Sequence, residues 1–149
     1  MTEVRFYHLR TKPLEQALPE ILTKAVAQGR RVVVKTASRD LAARLNDQLW
    51  TWRPDSFLPH GMAGDVFPED QPVWLTDRDE NPNGADILVL TGGAQAASLD
   101  GYTLCCDMLD GADEDAVTAA RSRWKDYGAQ GHSVTYWQQT DKGGWEQKA

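Results

Sequence analysis

Cysteine is nearly absent: there are two in 149 residues, Cys105 and Cys106, and they are neighbours. Adjacent strand residues point to opposite faces, so the two cannot readily pair with each other and cannot form a metal cage alone. They read as small buried hydrophobes in a reducing compartment. Long apolar runs are missing too. No stretch approaches the roughly 20 residues that span a bilayer, which excludes a helical membrane span. Positive charge is in the minority, with 16 Lys and Arg against 22 Asp and Glu and a net charge of −6. That balance argues against a broad phosphate-binding face and leaves room for a local basic patch. The first residues enter a strand-like run with no apolar leader core and no cleavage site, the pattern expected of a cytoplasmic protein. Composition is otherwise that of a globular chain, 41% hydrophobic and 26% charged, and the whole of residues 1–149 reads as one domain.

What is present alternates between strand and helix patterns. Residues 4–9, VRFYHL, are β-branched and aromatic and predict a first strand. Pro13 suits an early helical position. Leu14, Leu18, Ile21, Leu22, Ala25 and Val26 then recur at spacings of three and four, an amphipathic helix closed by Gly29. Pro19 falls inside that pattern and either sits in the first turn of a shorter helix or kinks a longer one. Residues 31–36, RVVVKT, suit a strand covered on both faces. Ser38 is a good N-cap for a second helix, which Leu41, Ala42, Leu45 and Leu49 carry to Trp50. This opening predicts an α/β fold in three layers, with a mostly parallel sheet and the first two strands adjacent or nearly so. Residues 52–71 hold prolines and glycines with little periodicity, the mark of a functional loop or a partner surface. Short strands follow at 72–76, 87–90 and 102–106. Asp113, Glu114 and Asp115 open a last helix reaching about Tyr127, with negative charge at the positive end of its dipole. Residues 133–138, SVTYWQ, predict a final edge strand, and the polar tail 140–149 is expected to fray.

The loops that would carry nucleotide chemistry are not there. Arg10-Thr11-Lys12-Pro13 after the first strand and Thr36-Ala37-Ser38 after the second contain no glycine, so neither a dinucleotide fingerprint nor a P-loop exists. Thr91-Gly92-Gly93-Ala94 is either a plain turn or a small anion nest. Asp107, Asp110, Asp113, Glu114 and Asp115 form a carboxylate cluster explained by helix-start chemistry or, alternatively, by metal binding. His8, His60 and His132 have no metal-ligand spacing with another His or Cys. No GxSxG elbow occurs. A binding module fits these residues better than an enzyme. The rival reading is a small nucleotide- or metal-dependent α/β enzyme using Gly92-Gly93 and the carboxylates between Asp107 and Asp115.

Two aromatic clusters stand out. Trp50, Trp52 and Phe57 gather where the second helix meets the irregular loop; aromatics of this kind anchor interfaces, although Trp50 equally completes the core stripe of its helix. In the last helix Arg121, Trp124 and Lys125 stand at i, i+3 and i+4 and share one face. Cations beside an aromatic can receive an acidic peptide with an apolar anchor, or they form a solvated charged face near the helix end.

These features resemble the chi subunit family of bacterial DNA polymerase III. The resemblance rests on Phe6-Tyr7 in the first strand, on Leu49-Trp50 followed by Ser56-Phe57-Leu58-Pro59-His60-Gly61 and Ala63-Gly64, and on the helix Arg121-Ser122-Arg123-Trp124-Lys125-Asp126-Tyr127. It covers nearly the whole chain. It implies a Rossmann-like sheet without a nucleotide site, no cofactor, and a non-enzymatic role in the replicative polymerase. Chi-like proteins bridge the psi subunit of the clamp loader to the acidic C-terminal tail of single-stranded DNA-binding protein, and a superfamily 2 repair helicase can replace psi. By similarity Trp50 and Phe57 face psi or the helicase. Arg121, Trp124 and Lys125 match the family's basic and aromatic tail-binding positions. A basic residue expected one turn before Arg121 is Val117 here, for which Arg123 is the candidate substitute. Contact with DNA would then run through the partner protein.

Overall fold

The computed structural model describes residues 2–51 and 58–149. Its elements run β1 (Glu3–Leu9), α1 (Leu14–Ala27), β2 (Val32–Thr36), α2 (Arg39–Thr51), β3 (Gly61–Met62), a 3-10 turn (Pro68–Asp70), β4 (Val73–Thr76), β5 (Ile87–Thr91), β6 (Leu104–Asp110), α3 (Glu114–Ala129), β7 (Ser133–Gln139) and β8 (Trp145–Gln147). The eight strands form one sheet in the order β3-β4-β2-β5-β6-β1-β7-β8. Every pairing is parallel except that of β7 with β8.

Three layers follow from the alternation of side chains along the strands. Val32 and Val34 in β2, Val89 in β5 and Cys106 in β6 meet α1 and α2 on one face. Val33, Leu88 and Cys105, each one position away, meet α3 and the loop residues Ala94 and Leu99 on the other. Cys105 and Cys106 are both buried, one on each face. The mostly parallel α/β architecture is therefore as the sequence predicts, and the apolar run of β2 is covered on both sides.

Local signals account for the helix ends. The Ser38 hydroxyl accepts from Leu41 N–H at 3.1 Å and so caps α2. Asp113 caps α3, accepting from the N–H groups of Asp115 and Ala116. α1 begins at Leu14 directly after Pro13 and runs through Pro19 as an interior residue.

Three expectations are corrected. β1 and β2 are not neighbours: β5 and β6 lie between them. The crossover through α1 passes over two strands, a distance that helix periodicity does not encode. The strand of residues 133–138 is not the edge, because β8 pairs outside it. The tail that carries β8 is thus not wholly frayed; Trp145 packs edge-on against Tyr7 with ring centroids 4.7 Å apart, which supplies the apolar anchor that holds it.

Candidate functional site

α3, β1 and β7 together build a basic and aromatic groove on the α3 side of the sheet. Residues of one strand face appear at every second position, which puts Phe6 and His8 of β1 and Tyr136 and Gln138 of β7 toward α3. The helix answers with Val117, Arg121, Trp124 and Lys125, spaced so that they lie along one stripe. His8, Val117, Arg121, Trp124, Lys125 and Tyr136 line an open cavity of about 460 Å³, joined by Gln138, Lys148 and Ala149.

The floor is rigid. Phe6 is fully buried, and burying such a side chain contributes about 1.5–3 kcal/mol. Its ring lies 5.9 Å from Trp124 and stacks on Tyr136 at 6.1 Å. Trp124 meets Tyr136 edge-on at 6.1 Å. A 2.7 Å hydrogen bond joins His8 Nδ1 to the Tyr136 hydroxyl. Burial, aided by the positive charges of Arg10 and Arg121, lowers the pKa of His8, while Asp110 acts in the opposite direction. The balance favours the neutral imidazole. The rim is cationic: Arg121 and Lys125 are exposed, and among the described residues neither is held in an ion pair. Exposed cations over an aromatic floor can hold carboxylates by charge-assisted hydrogen bonds while an apolar group stacks below.

The structure brings together Arg121, Trp124 and Lys125 and leaves Arg123 out. Arg123 turns inward, where its Nε and Nη2 donate to Asp107 at 2.8 and 3.1 Å. Both side chains are buried, at 10% and 3% exposure. Arg123 therefore cannot serve as the substitute cation for the Val117 position without abandoning a buried charge. Asp107 is equally removed from any carboxylate cluster, and Asp113 is engaged in capping. Among the described residues no group of three His, Cys, Asp or Glu side chains could hold a metal ion.

At the second predicted cluster, Trp50 stands in the last turn of α2 at 53% exposure. Its ring lies 4.3 Å from that of His60. His60 is buried, with ring nitrogens 2.7 Å from the Leu58 carbonyl and 3.2 Å from that of Asn46, a structural position. Phe57 lies outside the described residues.

The turn after β1 is where a parallel sheet of this kind would offer backbone N–H groups to a phosphate. Here the N–H groups of Arg10, Thr11 and Lys12 all donate to Gln139 Oε1, each at 2.9 Å. Gln139 is 1% exposed. Three converging donors identify the acceptor as the amide oxygen, and the amide nitrogen is buried with no hydrogen-bond partner among the described residues. Gly92 and Gly93 adopt φ values of 63° and 84°. A Cβ at Gly92 would lie 2.7 Å from a Leu41 methyl, so glycine there is explained by a tight turn against α2.

Sequence reasoning missed His8, Tyr136 and Lys148 as groove residues. The alternation in SVTYWQ does mark Tyr136 as sharing a face with Val134, but only the pairing of β7 to β1 and of β8 to β7 shows which face that is.

Comparison with known proteins is consistent in direction. The profile of the family described as DNA polymerase III chi subunit, HolC, matches residues 1–135. A probable DNA polymerase III subunit chi from Rickettsia prowazekii (strain Madrid E) is 29% identical over 99 residues, which is 66% of this chain and 60% of that protein. The DNA polymerase III subunit chi of Escherichia coli (strain K12) is 27% identical over 122 residues, covering 81% of this chain and 82% of the relative. The corresponding subunit of Pseudomonas aeruginosa is 25% identical over 138 residues, 90% of this chain and 94% of the relative.

Proposed function

Because the chain belongs to the DNA polymerase III chi subunit family, we propose that it is a non-catalytic accessory subunit that bridges the clamp-loader psi subunit to the acidic C-terminal tail of single-stranded DNA-binding protein. The observation that carries the reading is the groove of α3, where Arg121 and Lys125 stand over Trp124 and Tyr136. A tail of aspartates ending in proline and phenylalanine needs cations for its carboxylates and an aromatic surface for its last ring. The groove offers both on one preformed face. Contact with DNA is then indirect, which agrees with the net charge of −6. The protein acts in the bacterial cytoplasm, at the nucleoid through the replisome.

By the same reading, Trp50 and Phe57 are assigned to contact with psi, or with a superfamily 2 repair helicase in its place. The exposed indole of Trp50 supports this. Truncation of such an anchor costs on the order of 2 kcal/mol of binding, so Phe57→Ala in a folded variant weakens psi binding by that order in calorimetry.

Part of the chemistry the enzyme reading would use is engaged elsewhere. Asp107 is paired with Arg123, Asp113 caps α3, and the N–H groups after β1 are held by Gln139. ATP, NAD and Mg²⁺ accordingly give no thermal stabilisation, whereas an enzyme of that type is stabilised in proportion to occupancy.

Pull-down with purified single-stranded DNA-binding protein tests the bridging role. Capture of the intact protein and not of a version lacking its tail is expected. Equal capture of both contradicts the tail reading.

A further inference from the structure

We infer that Lys148, delivered by β8, is the third cation of the α3 groove and helps set its preference for an acidic peptide. The inference rests on the tail-binding reading above and adds a residue that no motif in α3 contains.

β8 lies against β7 in antiparallel register, with Gln138 opposite Glu146 and Gln139 opposite Trp145. Two residues further the ladder continues past the end of the strand. Lys148 N–H donates to the Tyr136 carbonyl at 2.7 Å, and Tyr136 N–H donates to the Ala149 carbonyl at 3.2 Å. Lys148 therefore stands directly across from Tyr136, the residue at the centre of the groove. Side chains directly opposite share one sheet face, which puts Lys148 on the face of Tyr136 and Gln138 and turns Trp145 to the other. Lys148 and Val117 both line the cavity. The apolar Val117 supplies no charge there, and Arg123 is committed to Asp107. Lys148 restores a positive side chain to the groove from a different element. Its pair with Glu146 is 3.4 Å long, with both side chains about half exposed, and an exposed pair of that kind yields readily to a ligand carboxylate. The family profile ends at residue 135, so β8 lies beyond the matched segment.

The occupant is an acidic peptide with an apolar end group, because three cations surround an aromatic floor and only Lys148 among them is in an ion pair among the described residues, the exposed one with Glu146. The probe is a synthetic peptide of aspartates followed by proline and a terminal phenylalanine, titrated into the full-length protein at two salt concentrations. Lys148→Ala is expected to weaken binding about two- to fivefold, the range for one solvent-screened charge pair, and to reduce the salt dependence. Lys148→Glu is expected to weaken it further, and Lys148→Arg to retain wild-type affinity. Loss with both Ala and Arg would indicate a packing role and overturn the inference. Unchanged affinity in Lys148→Ala, with Arg121→Ala still impaired, would overturn the Lys148 assignment and leave the tail reading standing. Absence of binding by the wild-type protein would overturn both. The side chain is half exposed, so all three variants are expected to fold, and circular dichroism checks it.

Discussion

Arg121 and Arg123 stand two residues apart in α3 and meet different surroundings. Arg121 faces the open groove beside Trp124 and Tyr136. Arg123 faces the sheet and makes a two-pronged contact with Asp107, deep under the helix. The inner face of α3 is a packing surface of Ala120, Arg123 and Tyr127, and the outer face carries Arg121, Trp124 and Lys125 along the groove proposed above to bind an acidic tail. The sequence RSRWK looks like one basic motif. Its arginines are divided by helical geometry between the buried contact with Asp107 and the open groove.

That division is sharpest in mutation. Arg123→Ala leaves Asp107 as a buried unpaired charge, which costs about 3–5 kcal/mol, so a large fall in Tm is expected with peptide affinity of the folded fraction unchanged. Replacing both partners with apolar residues, Arg123→Met with Asp107→Leu, recovers most of the loss. If Arg123→Ala instead abolished peptide binding at unchanged Tm, the two faces would not be distinct.

Arg121→Ala is the converse. Loss of a charged hydrogen-bond partner at the site costs roughly 1.5–3 kcal/mol of binding, about ten- to a hundredfold, while stability stays within about 0.5 kcal/mol. Calorimetry of peptide binding and a melting curve on one sample check both halves.

A smaller loss is expected at Gln139, which is buried like Arg123 but carries no charge. Gln139→Ala removes the acceptor shared by three N–H groups, and leaving buried donors unsatisfied costs on the order of 1–3 kcal/mol. Hydrogen exchange at Arg10, Thr11 and Lys12 should quicken together.

The smallest effect is at His8 in the groove floor. Its native pKa lies below the ordinary 6.5 because of burial and of Arg10. As pH falls through 6.5 the unfolded chain takes up the proton first, so the His8 contribution is present at neutral pH and is lost toward the lowered native value. His8→Gln removes that part of the slope, and the difference between the two unfolding series against pH measures it.

Much of the fold was legible because it depends on local pattern. The VVV run of β2 reads as doubly covered and is so; Ser38 and Asp113 read as helix-start residues and are caps. What was not legible depends on distant pairing. Nothing near Arg123 names Asp107, which lies 16 residues away in β6. Strand periodicity says nothing of the two strands between β1 and β2. The tail is polar apart from Trp145, and the contact of Trp145 with Tyr7 together with the pairing of β8 to β7 explains why it folds back and brings Lys148 to the groove. Of the groove itself, the α3 stripe was readable from spacing, whereas His8, Tyr136 and Lys148 became neighbours only through the sheet.

Trp124 makes the outer face directly observable, because each of the six tryptophans carries its own indole N–H. The decisive experiment is a two-dimensional NMR titration of the isotope-labelled protein with the acidic peptide, the indole signals assigned by single Trp→Phe replacements. The Trp124 signal is expected to move in proportion to occupancy, and the signals of Trp50 and Trp145 are expected to stay in place. Movement at Trp50 with a stationary Trp124 signal would put the peptide at the α2 face and contradict the assignment of recognition to α3.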